Sequence, residues 1–464
     1  MKIMLWKPGV PDGSTGELPH IGLGILANDI RNCGHDVFIA DHHFFPVEEH
    51  VPVEIIEREK PDILCISIAS PEWKLQKTQK MVDFAYQNGI PVWVGGPHVY
   101  SYWDILQNDP RLSKIVVGES DGRFQAIWEN KERVIFLGRA DNFLLPDFSC
   151  LMNSDKMVTY PVFTSRGCSH NCAFCAGTKT HGNRWRPASL DKEFWNMLDN
   201  VKTAYPFVKN ISVIDDEFTS NLRHSKTFLK RFIDNYKYFN LSVFNVRADQ
   251  IDDELLVLLK MAGVENLSIG IESGDPEVFR MVRKGETHET IRRAIEKIQH
   301  AGIIPRLNMV IGLPGDSPQA HKRSMDWVTS IPMPRITQWL HYAPYRGTWA
   351  YNYFVEHGDI EDGFIPGLQH GGYDQLPEKG TFDAKGFSME AKMLAQLEGY
   401  LRCYSPILIL NHETIKGICQ QNMMMDLYDD WYKNAPIQDY VSRFLPGKMA
   451  KGQVSSVFAA NLIQ

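Results

Sequence analysis

Two stretches near the N-terminus, Ile63–Ser67 and Val92–Val94, are apolar at nearly every position, as a strand buried on both faces must be. Such strands need helices on both sides, which restricts the chain to layered α/β architectures. Further strand candidates are Ile3–Trp6, Val37–Ala40 and Ile115–Val117, and amphipathic stretches such as Leu23–Asn32, Val53–Glu59 and Leu75–Gln87 lie between them. Strands alternating with helices predict right-handed crossovers and a doubly wound parallel sheet over residues 1–145. Glycines and prolines gather just past the strand ends, at Lys7-Pro8-Gly9, Gly95-Gly96-Pro97-His98 and Gly118-Glu119. Ligands of doubly wound sheets bind at that edge, so the segment reads as a holder for a nucleotide-like cofactor. The alternative is that these residues serve only as turns.

With 464 residues the chain is too long for one core, and two or three domains are expected. Residues 146–160 read as an irregular linker. A second alternation follows, with strands expected at Val162–Ser165, Ile211–Ile214, Ser242–Val246, Leu267–Ile271, Leu307–Ile311 and Thr337–Tyr342. Six strands joined by helices predict a partial (β/α)6 barrel over residues 161–345, with its reactive groups at the C-terminal strand ends. Residues 346–464 turn to loops and helical patterns and read as a mainly helical accessory region that shapes specificity. Trp339, His341, Tyr342, Tyr345 and Trp349 either wall a pocket there or pack in the core.

The formal net charge of -7 offers no basic field for nucleic acid or an anionic membrane. The first residues resemble a short strand rather than a targeting segment or a membrane span, so a cytoplasmic location is expected. Eight cysteines in such a chain are no disulfide framework. Cys33, Cys65, Cys150, Cys403 and Cys419 are scattered and are expected to be small buried hydrophobes.

Cys168, Cys172 and Cys175 are different: they lie four and three apart in one loop, in Arg166-Gly167-Cys168-Ser169-His170-Asn171-Cys172-Ala173-Phe174-Cys175. Zinc usually takes four ligands, and His170 or His181 could complete such a set. Three thiolates suit a four-iron cluster better, because one iron is left without a protein ligand. S-adenosylmethionine (SAM) can chelate that open iron, and an electron from the cluster can then break a carbon–sulfur bond of its sulfonium.

The run Cys-x-x-x-Cys-x-x-Cys after a first barrel strand resembles the signature of radical SAM enzymes, with Phe174 in the aromatic place before the last cysteine. Further likenesses fall at successive strand ends: Ile214-Asp215-Asp216-Glu217-Phe218, Arg247, Gly270-Ile271-Glu272-Ser273-Gly274, Asn308, and Ile311-Gly312-Leu313-Pro314-Gly315. The resemblance implies a [4Fe–4S] cluster on Cys168, Cys172 and Cys175. It also implies SAM contacts from Phe174, Asp216, Glu217, Arg247, Glu272, Ser273, Asn308 and Gly312. No further cysteine cluster is present, which speaks against an auxiliary iron–sulfur centre.

Residues 1–145 resemble the Rossmann-like domain that precedes the barrel in the cobalamin-binding radical SAM subfamily. Cobalamin contacts are then implied for Ser67, Ala69, Trp73, Gly95, Gly96, His98, Gly118 and Glu119. Asp41-His42-His43 imitates the start of the Asp-x-His-x-x-Gly motif that supplies a lower cobalt ligand, but Pro46 stands where glycine belongs. His43 therefore reads as a loop residue. Trp73 is the candidate to cover the lower cobalt face, or else a core residue at a helix start.

The implied reaction is methylation of an unactivated carbon, or less often phosphorus, of a small metabolite or natural-product intermediate, with flavodoxin or ferredoxin as electron donor. Two SAM are consumed per turnover, giving S-adenosylhomocysteine and 5′-deoxyadenosine. Non-methylating cobalamin radical chemistry (ring contraction, cyclisation, oxidation) is the alternative. A non-catalytic iron–sulfur protein is the reading from a different class.

Overall fold

The computed structural model describes residues 1–9, 18–42, 44–45, 51–68, 72–140, 143–180, 182–365, 382–405, 408 and 412–434. Its N-terminal part is a six-stranded sheet built from β1 (Lys2–Lys7), β2 (Asp36–Asp41), β3 (Ile63–Ser67), β4 (Val92–Gly95), β5 (Leu112–Val117) and β6 (Val134–Phe136), in spatial order β2-β1-β3-β4-β5-β6. Every pairing is parallel. The sequence reading missed β6 because its three residues follow a charged Arg133 and only Ile135 is fully buried.

The sheet is covered on both faces, as the apolar runs require. Leu5, Cys65, Trp93 and Val116 join the core beneath helices Ile21–Asn32 and Phe124–Glu129. Met4, Leu64, Val94 and Ile115 point the other way, beneath helices Val51–Glu59, Gln76–Gln87 and Pro97–Leu106. Residues 143–157 contain only one short helical turn, but they are not a free spacer. Phe148 is fully buried, and Leu151 pairs with Ile39 beside β2 through Ile39 N–H to Cys150 O and Met152 N–H to Ile39 O, both 2.9 Å.

A second set of parallel strands follows: β7 (Thr159–Val162), β10 (Asn210–Val213), β11 (Asn240–Val243), β12 (Asn266–Glu272), β13 (Ile304–Ile311) and β14 (Ile336–His341). They form two three-stranded sheets, β7-β10-β11 and β12-β13-β14, joined by a parallel bridge between Val246 and Ile269. The first strand starts three residues earlier than expected because Pro161 disguises it. Proline lacks an N–H, and β7 tolerates it as an edge strand of its sheet. Ser165–Arg166 instead forms β8, a two-residue antiparallel ladder with β9 (Arg186–Pro187).

Helix Met389–Arg402 packs on β14, with Trp339 fully buried against Gly399 and its carbonyl accepting from Gln396 Nε2 (2.5 Å). Trp339, His341 and Tyr342 are therefore core residues rather than pocket walls. Trp349 is half-buried, with the Arg283 guanidinium 4.1 Å from its ring centre. Cys65, Cys403 and Cys419 are buried and Cys33 and Cys150 partly so, all five as free thiols. Among the described residues no helix is long and apolar enough to cross a membrane.

Candidate cluster and cofactor site

The cysteine loop springs from the β8–β9 ladder at the mouth of the barrel. Asp215, fully buried at the end of β10, clamps its base by accepting from Thr164 N–H (2.7 Å), Thr164 Oγ1 (2.5 Å) and Ser165 Oγ (2.7 Å). Burial raises its pKa to about 6 although those hydrogen bonds pull the other way. Asp216 holds the next turn, accepting from Gly167 N–H at 2.7 Å.

Cys168, Cys172 and Cys175 are half-buried, and none of them is in a disulfide. Burial pushes Cys168 up to about 11 and Cys172 up to about 12, and the nearby Cys175 adds to both. Such thiols stay protonated unless a metal centre takes the proton's place. Lys284 and Arg247 act in the opposite direction on Cys172, and Arg247 does so on Cys168, so cations already face the thiol group. Among the described residues no three His, Cys, Asp or Glu side chains converge on one metal ion. His181 lies outside them. Three thiols in one loop suit a cubane, in which each thiolate binds its own iron.

Most of the polar residues expected to meet SAM are already engaged with the protein. The Glu217 carboxylate accepts from Thr219 N–H (2.8 Å) and from the hydroxyls of Thr219 and Ser220. The Arg247 guanidinium is held by Asp249 (2.8 and 3.0 Å) and the Lys284 carbonyl (3.0 Å). Glu272, at φ 68°, sits at a β-bulge in a tight turn closed by Ser273 N–H to Ile271 O, and its carboxylate pairs with Lys284 at 3.2 Å. The Ser273 hydroxyl lies 3.0 Å from that of Ser324. Phe174 packs half-buried against the Val278, Val282, Leu313 and Tyr342 cluster. Gly312 donates to Asp316 (2.7 Å), and the end of Lys392 lies about where a side chain on Gly312 would point.

Asn308 is different. Leu307, Met309 and Ile311 lie in the core shared with the helices around the barrel, so by alternation Arg306, Asn308 and Val310 face its lumen. Asn308 Oδ1 is buried without a hydrogen-bond partner, and so is Nε2 of Gln338, its neighbour in register on β14. A buried acceptor beside a buried donor costs about 1–3 kcal/mol each unless a ligand or water meets them. Sequence reasoning missed Gln338, and it missed Asp215, Lys284 and Glu286 as the groups that organise the site. The doublet Asp215-Asp216 was visible, but nothing in it told which carboxylate turns inward.

In the N-terminal part a cavity of about 330 Å³ opens between the sheet and helix Ile21–Asn32. Leu5, Cys65, Trp93 and Val116 form its floor, and Ser67, Gly95, Gly96, Gly118 and Glu119 line its strand-end rim. It extends to Phe163, Arg166 and Thr180, beside the cysteine loop. This long apolar slot with a polar rim fits a cofactor that carries a nucleotide tail.

Other anticipated cobalamin contacts lie elsewhere. His98 is buried against Tyr102, ring centres 4.6 Å apart, and is not among the residues lining the slot. Trp73 packs against the core on the opposite face of the sheet. Ala69 and His43 lie outside the described residues. His42 Nδ1 accepts from Trp6 Nε1 at 2.9 Å, and burial holds its pKa down at about 3.

Two of the rim glycines are also required by protein backbone. Gly96 (φ 101°) and Gly118 (φ 120°) would place a methyl 2.8 Å from Ile68 O and 2.1 Å from Leu137 O. Glu119, expected to meet the cofactor, lines the slot and is also held by Arg186, whose guanidinium donates to both carboxylate oxygens (2.6 and 2.7 Å).

Comparison with known proteins agrees with both halves of this geometry. Residues 162–328 match the radical SAM superfamily and residues 12–128 match the B12 binding domain. The chain is a radical SAM protein with a B12-binding domain. An uncharacterized methyltransferase of Pyrococcus horikoshii is 24% identical over 76% of this chain and 83% of its own length. The anaerobic magnesium-protoporphyrin IX monomethyl ester cyclase of Rubrivivax gelatinosus is 25% identical over 77% and 70%. Among solved structures, the radical SAM methyltransferase TsrM of Kitasatospora setae superposes with a TM-score of 0.60 at 16% identity, covering 79% of this chain and 78% of that one, a likeness of fold.

The cofactors that go with these two domains are a [4Fe–4S] cluster, SAM and cobalamin. The B12-binding domain and the barrel touch on two sides. Arg186 and Arg166 reach Glu119 and Asp121 on one, while on the other Nη1 of Arg346, just past the last barrel strand, donates to both Asp104 oxygens (2.7 and 2.8 Å).

Proposed function

We propose that this chain is a cobalamin-dependent radical SAM methyltransferase acting on an unactivated carbon, or less often phosphorus, of a small metabolite or natural-product intermediate. The observation that carries the reading is that the slot of the B12-binding domain ends against Phe163, Arg166 and Thr180, which flank the cysteine loop. Two cofactor sites thus share one wall, as they must if both act on a single substrate atom. When bound, the cluster supplies the electron that cleaves SAM and cobalamin supplies the methyl group.

The protein's own part is placement. Cys168, Cys172 and Cys175 hold the cluster, and Asp215 with Asp216 fixes the loop that carries them. Arg247 and Lys284 keep positive charge against the thiolates. Asn308 and Gln338 offer one acceptor and one donor to SAM from the lumen. The boundary between the two domains is the substrate's place. Flavodoxin or ferredoxin is the proposed reductant, and the cytoplasm the proposed location.

Anaerobic reconstitution with iron, sulfide and cobalamin, followed by mass analysis of SAM-derived products, tests this reading. Equal yields of S-adenosylhomocysteine and 5′-deoxyadenosine are expected with a methyl acceptor. A likeness to a cyclase favours a second reading, in which the radical step closes a ring without methyl transfer. Formation of 5′-deoxyadenosine with no S-adenosylhomocysteine selects it. Failure to cleave SAM with a reduced, intact cluster refutes both.

A further inference from the structure

Four buried charges on the boundary between the two domains have no part in the chemistry above. Arg166 and Arg186 face each other in the β8–β9 ladder, the neck from which the cysteine loop hangs. Arg186 forks onto Glu119, and Arg166 meets Asp121 at 2.7 Å; each of the four side chains is less than a tenth exposed. The Glu119–Arg186 pair is closed further by the backbone of Ala140, whose N–H donates to Glu119 (2.6 Å) and whose carbonyl accepts from Arg186. The Phe143 ring lies 4.6 Å from the Arg166 guanidinium and 5.3 Å from that of Arg186.

On the other side of these pairs, Glu119 and Asp121 follow β5 and line the slot of the B12-binding domain. One short ladder therefore joins the cysteine loop, which begins two residues after Arg166, to the wall of the cofactor slot.

Buried ion pairs seldom add net stability, because desolvation offsets their attraction. What a planar, bidentate fork does provide is fixed distance and orientation. The contact on the far side, Arg346 with Asp104, is about one-third exposed and correspondingly weaker as a constraint.

We propose that Arg186–Glu119 and Arg166–Asp121 form a positioning latch that sets the separation between the cluster loop and the cobalamin slot. This inference rests on cobalamin occupying that slot. The latch carries no chemical step of its own. It acts by placement, and misplacement of reacting centres by about 1 Å can cost on the order of 100-fold in rate.

The test compares the full-length wild type with Arg186→Gln and with Glu119→Gln/Arg186→Gln, the latter leaving no unpaired carboxylate buried. In the cofactor-free protein, hydrogen exchange at residues 164–167 and at Trp185, residue 186 and Ala188 is expected to quicken by about tenfold or more in both variants. After loading with iron, sulfide and cobalamin, cluster content in both variants and cobalamin content in Arg186→Gln should match the wild type. The spin relaxation of cob(II)alamin by the reduced cluster, which depends steeply on their separation, should spread over at least about a twofold wider range. No substrate is needed for either measurement.

Unchanged exchange at the neck overturns the latch, as does unchanged spin relaxation in fully loaded variants. Loss of cobalamin with neck exchange unchanged also overturns it, making Glu119 a cofactor contact. A wild type that loads a cluster but takes up no cobalamin refutes the proposed function itself, and the latch's purpose with it.

Discussion

Asp215→Asn isolates the clamp at the base of the cysteine loop. The carboxylate is fully buried and its pKa stands at about 6, against an ordinary 3.8, so burial disfavours its charged form despite the hydrogen bonds from Thr164 and Ser165. A folded-state pKa above the unfolded one means that the native state binds more protons between those values. The stabilisation is therefore complete below about pH 4 and is lost as pH rises through about 6. Two units correspond to about 3 kcal/mol. Asparagine has nearly the same shape and one acceptor oxygen, but no charge to bury. Near pH 4 the variant should match the wild type within about 1 kcal/mol, and by pH 7 it should be more stable at this site by about 2–3 kcal/mol. Hydrogen exchange at Thr164 in the cofactor-free protein, taken as the ratio of variant to wild type at each pH, cancels the intrinsic pH dependence of exchange and reads this directly. A ratio that stays constant from pH 4 to pH 7 refutes the assignment of a penalised charge to Asp215.

Replacing Cys168, Cys172 or Cys175 singly by serine should reduce the iron and sulfide retained after reconstitution while leaving cobalamin uptake intact, since the slot lies in the other domain. Leu26→Trp, a substitution into the slot lining, should weaken cobalamin binding at least about tenfold with iron content unchanged. Gly118→Ala should lower stability by about 2–4 kcal/mol in denaturant unfolding, because its methyl would meet the Leu137 carbonyl and its φ is 120°. Lys284→Met leaves Glu272 buried without its cation and Glu286 with Arg247 alone, and should destabilise the protein by about 3–5 kcal/mol, measured the same way.

Much of the architecture was legible because periodicity reports burial directly. The continuous apolar run at Ile63–Ser67 coincides with β3, and five of the six barrel strands overlap their expected positions by at least two residues. The misses have physical causes. β6 is too short to carry a pattern, and Pro161 masks β7. The site was legible as positions but less so as roles. Cysteine spacing named one loop, and the strand-end glycines named the rim of the slot. Whether a carboxylate at a strand end meets a ligand or a neighbouring arginine depends on pairing across domains, and no local pattern encodes that. Glu119 shows this plainly: it stands at the slot, yet its charge is matched by Arg186, 67 residues further along the chain.

The commitment of these charges bears on how the site recognises SAM. Glu217 is spent on its own turn, Arg247 on Asp249 and the Lys284 carbonyl, and Glu272 on Lys284. A ligand that had to break those contacts would first meet the cost of leaving buried charges unpaired, about 3–5 kcal/mol for each pair broken. Asn308 and Gln338 impose the opposite condition, since their open acceptor and donor gain a partner when a ligand arrives. Discrimination should therefore rest on neutral hydrogen bonds in the lumen, with the charged residues serving as a rigid frame. Asn308→Ala, which removes the open acceptor, should then weaken SAM binding without loosening the frame, whereas Lys284→Met should loosen the frame. Calorimetric SAM titration set beside unfolding of the same variants separates the two. Equal effects on binding and stability from both substitutions would contradict this division of labour.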